Sequence, residues 1–360
     1  MMERQELLEV LGDAMRGIVH DDLLGGRLRQ GRVKSRLLEA HAPEPSSDGV
    51  AHLLTSVAND ADLAVEAIGD SLWALVGADD AFLIDALNPR FWLLHSTAPA
   101  DRLRRLLRRH LLLSSRLDQA WFSSEQLQRL EGERRWVRSS FNSDTLQPNE
   151  SGGVVPRRWK VQVEGENPEE LLELISQQPR YHAGAALTAV ASHLHEPGAG
   201  SAEVAADYQG GFVASGTDFH LVAGLLWRTL DSYETYVRGL EASYRLGTTA
   251  TEEMGMTIEG DVAMIEFPHA VQNLDALVTN LFTCREPFRL WAVPHEVAEG
   301  QWEANAVDLH VGQPLRFEIT SSWLRVLLSP DTCGNTLARL VANLQHRFDA
   351  RTHLQPTVSA

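Results

Sequence analysis

The chain has 360 residues, 44% of them hydrophobic and 22% charged, which excludes a disordered protein and leaves room for two or three compact units with cores of their own. Its net charge is −17, divided as 21 Lys/Arg against 23 Asp/Glu in residues 1–160 and 11 against 26 in residues 161–360. The second part therefore repels nucleic acid and anionic membranes, and any phosphate contact falls to the first. No run approaches the ~18 apolar residues that cross a bilayer. The opening MMERQELLEVLGDAMRGIVHDD is charged throughout, unlike a secretory signal. Two cysteines, Cys284 and Cys333, make no disulfide framework, and a reducing cytoplasm is the expected location.

Taken in chain order, residues 3–19 read as a helix, with Leu7, Leu8, Leu11, Met15 and Ile18 near helical spacing. The basic stretch GRLRQGRVKSRLLEAH follows, then a linker candidate, APEPSSDG, at 42–49. Residues 50–67 look helical. LWALVG (72–77), AFLIDAL (81–87) and FWLLHS (91–96) read as strands separated by Asp- and Pro-marked turns. A helix at 100–113 buries Leu103, Leu106, Leu107 and Leu111 and sets five arginines on the rest of its surface. Residues 142–157, rich in Asn, Ser, Gly and Pro, read as an interdomain linker.

Beyond it, 158–164 is a strand, and Asn167-Pro168-Glu169-Glu170 opens a helix, with the Asn as cap, the Pro at the first position and the acids at the positive end of the dipole. Strands at 187–195, 203–209 and 211–215 lead into a long helix at 217–243. MTIEG and VAMIEF read as a hairpin turned at Gly260-Asp261, followed by a helix at 269–282. Four strands (RLWAVP, NAVDLHV, LRFEI and WLRVLL) then form a meander before a helix at 332–348 and a tail from 351 to 360.

One long-range signal overlies this order. Trp92–Asp118 matches Trp323–Asp349 without a gap at an offset of 231 residues, with eight of 27 positions identical, among them Trp92/Trp323, Pro99/Pro330, Arg108/Arg339 and Asp118/Asp349. In both places a strand ends in a proline-marked turn and enters an amphipathic helix. The expected fold is thus α+β, with two or three repeated α-β-β-β-α units of small antiparallel sheets packed against helices. The expected divisions are an N-terminal helical segment at 1–48, units at 49–141, 158–247 and 248–350, and the linker and tail. In element order and acidity, residues 50–118 resemble the α/β fold of type III secretion chaperones and their bacterial relatives.

Several residue groups are candidates for chemistry. His193 and His195, two apart on a strand, share a face and suit a metal, although they also fit an ordinary strand end before the Pro197-Gly198 turn. Asp308 and His310 have the same spacing, where an acid can tune an imidazole. Cys333 precedes a helix, which favours its thiolate, and these three are the candidate catalytic residues. No GxGxxG, GxxxxGK[ST], GxSxG, HExxH or CxxC occurs, so no nucleotide-binding or familiar hydrolase signature is present and no cofactor is expected.

The strongest surface signal is cationic. Arg102, Arg104, Arg105, Arg108 and Arg109, with Arg134, Arg135 and Arg138 and the interleaved Trp121 and Trp136, make a candidate face for a partner or a nucleic acid. Arg27, Arg29, Arg32, Lys34 and Arg36, together with Arg157 and Arg158, extend it. The expectation is a non-catalytic binding or scaffold protein of a bacterial cytoplasmic assembly, with a protein partner or a second copy and no membrane. The alternatives are a nucleic-acid-associated subunit of a bacterial defence complex, using residues 27–36 and 102–138, and an enzyme of unrecognised hydrolase type.

Overall fold

The structure is a computed structural model that describes residues 2–18, 26–42, 46–142, 158–177, 186–198, 200–251 and 255–356. Most of the expected linker at 142–157, Arg157 and the end of the tail lie outside the described residues. The chain groups into two compact units: Met1–Ala120 with Arg129–Trp136 and Ala189–Glu234, and Trp121–Gln128 with Val137–Thr188 and Thr235–Ala360.

Helix α1 (Arg4–Arg16) ends where Gly17 turns left-handed and its N–H returns to the Ala14 carbonyl. Strand β1 (Val33–Ala40) lies within the basic stretch. The helix expected at 50–67 divides into α2 (Ser47–Ala61) and β2 (Ala64–Gly69). Ser46 caps the start through the Gly49 N–H, and Asp62, at φ +55°, stops the helix. Strands β3 (Leu72–Val76), β4 (Ala81–Asp85) and β5 (Phe91–Ser96) follow as expected, then α3 (Ala100–Arg109), a 3-10 turn at Leu111–Leu113 and a short β6 (Leu117–Gln119). The stretch after it holds α4 (Ser124–Gln128) and β7 (Glu133–Asn142). Next come β8 (Arg158–Glu164), α5 (Pro168–Ser176), β9 (Leu187–Glu196), β10 (Gly200–Asp207), β11 (Gly211–Gly216) and α6 (Phe219–Tyr244).

The last part begins with β12 (Gly247–Thr251) and β13 (Gly255–Glu259), which pair with each other. The expected hairpin across Gly260-Asp261 does not form, because β14 (Ala263–Glu266) pairs instead with a strand 60 residues further on. Helix α7 (Leu274–Leu281) is capped by Asn273. Strands β15 (Leu290–Ala292), β16 (His295–Ala298), β17 (Gln301–Asp308), β18 (Pro314–Ile319) and β19 (Trp323–Leu328), helix α8 (Gly334–Arg347) and β20 (His353–Leu354) complete the order. The start of the expected tail is therefore structured, since β20 pairs with β14.

In the first unit the strands run in the order β2-β3-β4-β5-β1-β11-β10-β9, every neighbouring pair antiparallel. β4 and β5 are buried along their whole length, so both faces of the sheet are covered. On one face α2 and α3 close over Leu38, Leu75, Ile84, Trp92 and Leu94. On the other, the first half of α6 sets Phe219 edge-on to His95 and Tyr233 edge-on to Phe91.

In the second unit the order is β15-β17-β18-β19-β14-β20, with β16 also along β17. Here burial alternates along β17, β18 and β19, leaving one face solvated. Phe282 of the residue after α7 packs on Phe317, and Phe348 on Phe267.

The α+β class holds in both units, but neither is an α-β-β-β-α block. The first runs β1-α2-β2-β3-β4-β5-α3-β6, and the second β14-α7-β15/β16-β17-β18-β19-α8-β20. In each, the opening strand returns beside the last strand of the meander, and the closing strand pairs with it.

Candidate functional site

The face of α3 turned away from the core is built by helical spacing alone. Leu103, Leu106 and Leu107 are buried beneath it, which leaves Arg104, Arg105, Arg108 and Arg109 exposed. Asp101 in the first turn and Arg108 and Arg109 in the last suit the helix dipole. Arg102 lies 3.7 Å from Asp80 and 3.8 Å from Asp79, and Arg29 lies 3.2 Å from the same Asp80. Among the described residues, none of Arg104, Arg105, Arg108 or Arg109 has a carboxylate within ion-pairing distance. Leu113, just past the helix, is 74% exposed.

The other arginines of the predicted face are not gathered there. Arg36 is 3.4 Å from Asp207 and donates to the Gln209 carbonyl, and Arg135 is paired with Glu203. Arg134 has partners within the fold, and Arg138 donates to Gln162 while Thr188 donates to the Arg138 carbonyl. Lys34 is held below its usual range first by burial and then by Arg32. Strand β7 stands four strands from β1, about 19 Å at the usual sheet spacing. Of the predicted face, Arg104, Arg105, Arg108 and Arg109 on α3 are exposed and lack a carboxylate partner among the described residues. Trp121 is fully buried and is a core residue rather than an interface anchor, and Trp136 is half-buried.

His193 and His195 do share a side of β9, as their spacing predicts, and line a 780 Å³ cleft with Glu131, Glu133, His220 and Arg228. Gly132 brings the facing backbone in: at φ +104°, a Cβ there would lie 2.9 Å from the His193 carbonyl. Arg228 pairs with Glu131 at 2.8 Å, and His195 Nδ1 donates to the Gly200 carbonyl at 3.2 Å. Among the described residues, no His, Cys, Asp or Glu completes a three-ligand group with these two imidazoles.

Asp308, His310 and Cys333 come together around the start of α8. Ring nitrogen of His310 and Sγ of Cys333 lie within 4.8 Å, and all three residues are buried. The Asp308 carboxylate accepts from Arg339 at 2.5 Å, from the Thr336 hydroxyl at 2.5 Å and from the His310 backbone N–H at 3.1 Å. Burial opposes its charge, but Arg339, His310 and these hydrogen bonds outweigh burial and hold the carboxyl below its ordinary range. The Asp308 carboxylate thereby ties the end of its strand to α8.

A feature that the sequence reading passed over is the outer surface of α5. Pro168 and Leu172 are buried, while Glu170 and Glu173 are exposed and Leu171 and Leu174 are 53% and 57% exposed. The signal was present in PEELLELIS, whose leucines are too many for one buried stripe.

The chain belongs to the MJECL33-like protein family, whose model matches residues 1–359. Among its relatives is a protein of Methanocaldococcus jannaschii described as uncharacterized protein MJECL33, 24% identical over 319 residues that make up 78% of this chain and 77% of that one. No solved structure matches. Among the described residues, no helix is long and apolar enough to cross a membrane.

Proposed function

We propose that the protein is a non-catalytic binding or scaffold subunit of a cytoplasmic multiprotein assembly, and that α3 is the face that meets its partner. One observation carries this reading: four exposed guanidiniums without a carboxylate partner among the described residues, on a chain of net charge −17. The arrangement is unfavourable to the helix itself. Arg104 and Arg108, and Arg105 and Arg109, are like charges at i,i+4, each pair costing roughly 0.2–0.5 kcal/mol. An acidic partner removes that repulsion. The shared strand order, with the match at an offset of 231 residues, supports reading the two units as copies of one scaffold. The committed Asp308 and the closed surroundings of Cys333 favour packing over turnover.

The test is affinity purification from the native host, comparing wild type with Arg104→Glu/Arg105→Glu. A stoichiometric protein partner that is lost from the variant supports the proposal, and a partner retained at full yield refutes α3 as its face. A second reading draws on Arg29 and Arg102 meeting at Asp80, which continues the basic surface into the 26–32 segment. On that reading the protein is a nucleic-acid-associated subunit. It would purify with a high 260/280 nm absorbance ratio that collapses with nuclease or salt.

A further inference from the structure

We infer that the partner of α3 is helix α5 of a second copy of this chain, an inference that rests on the reading of α3 as a partner face. The two helices are of similar length, 10 and 9 residues, and opposite in charge. α3 presents Arg104, Arg105, Arg108 and Arg109, and α5 presents Glu170 and Glu173 behind an approach that carries the exposed Glu164 and Glu166. Exposed apolar surface accompanies each: Leu113 in the turn after α3, and Leu171 and Leu174 on α5. An exposed leucine alone is ordinary, but Leu171 and Leu174 set beside Glu170 and Glu173 match the apolar centre and polar rim of a protein interface.

The second unit provides a precedent for a covered outer helix. α8 stands in the place of α3 in the shared strand order, and it is buried on every side from Gly334 to His346. Its first turn is packed by α6: the Gly334 N–H donates to Glu241 at 2.9 Å, and a Cβ at Gly334 would lie 2.4 Å from the Val237 carbonyl. In that position a second helix thus meets the first turn of the outer one. In the first unit α3 offers the same position with a charged surface, suited to a helix that arrives from another molecule.

Two copies of net charge −17 repel at long range, while the α3–α5 contact attracts at short range. Association therefore peaks at intermediate salt. At ~0.01 M the Debye length of about 30 Å leaves the whole-molecule repulsion unscreened; at ~1 M a length of about 3 Å also screens the contact.

The experiment is sedimentation velocity on the full chain at these two salt concentrations and at ~0.15 M, on wild type, Arg104→Glu/Arg108→Glu and Glu170→Arg/Glu173→Arg. Wild type is expected to self-associate most at the intermediate concentration, and each variant alone to remain monomeric. An equimolar mixture of the two variants is expected to re-associate, because intact faces meet intact faces and reversed faces meet reversed ones. That recovery also shows that both variants are folded. A monomeric wild type overturns the inference, as does self-association that either variant retains. If wild type is monomeric but still captures a different protein through α3, the self-pairing fails while the reading of α3 as a partner face stands; if α3 captures nothing, both fail.

Discussion

His95 shows how a single buried group sets a pH limit on the fold. Its Nδ1 lies 2.8 Å from the Ser35 hydroxyl on the adjacent strand, and burial draws its pKa from 6.5 down to about 4 despite the raising influence of Asp85. The unfolded chain takes up this proton near pH 6.5 and the folded chain only near 4, so the stability it contributes is complete above 6.5 and is lost as pH falls through that window. His346, buried and lowered to about 3, acts with the same sign over a longer range. Denaturant unfolding of wild type is expected to weaken from pH 7 to pH 5 by up to about 1.4 kcal/mol per unit for each such histidine. His95→Asn should flatten part of that slope, and an unchanged slope would mean that His95 is protonated in the fold. Asp308 acts with the same pH sign, although here the fold favours the charged form. Its folded pKa lies below 3.8, so its contribution is present at neutral pH and disappears only as pH falls through the folded value. Arg339→Met leaves a buried carboxylate without its cation and is expected to cost about 3–5 kcal/mol; Asp308→Asn in the same chain should recover much of it.

At the scale of elements, the proposed role of α3 is tested apart from folding. Arg104→Glu/Arg105→Glu replaces two like-charge i,i+4 pairs by two Glu-to-Arg pairs in the favourable order, so the helix gains a few tenths of a kcal/mol per pair. The expected outcome is an unchanged or higher melting temperature together with loss of the partner. A variant that both unfolds and loses its partner would make the arginines structural. α8 makes the contrasting case. Gly334→Ala puts a methyl group 2.4 Å from the Val237 carbonyl, and the overpacking is expected to cost about 1–3 kcal/mol. A melting temperature within one degree of wild type would show that α6 and α8 can move apart freely. The long amphipathic elements were readable from their residues because periodicity is local: α1, α3, α6 and α8, and the strands β3 to β5, all fall where the spacing placed them. β2 was hidden because AVEAIG continues a helical-looking run, and only the left-handed Asp62 separates the two. β20 and β6 were hidden because strands of two or three residues exist only through their partners.

For the whole molecule, the charge asymmetry, the α+β class, the absence of nucleotide-binding motifs and the two tryptophan-to-aspartate matches follow from residue identities and their order. None of these depends on where the chain goes in space. What surrounds each residue does depend on it. Arg108 and Arg339 occupy matched positions, yet one is exposed and the other holds Asp308 in the interior. Trp121 looked like an interface anchor and is core. Asp308, His310 and Cys333 do meet, in a buried cluster at the start of α8. The sequence by itself determined which segments are amphipathic and what charge they carry, because side-chain spacing within an element acts over a few residues. The tertiary structure alone decided that β14 leaves its neighbour for β19, that β9, β10 and β11 join the first sheet, and that four of the arginines stay uncovered. Strand pairing and burial are settled by contacts between residues far apart in the chain, and local patterns carry no record of those distances.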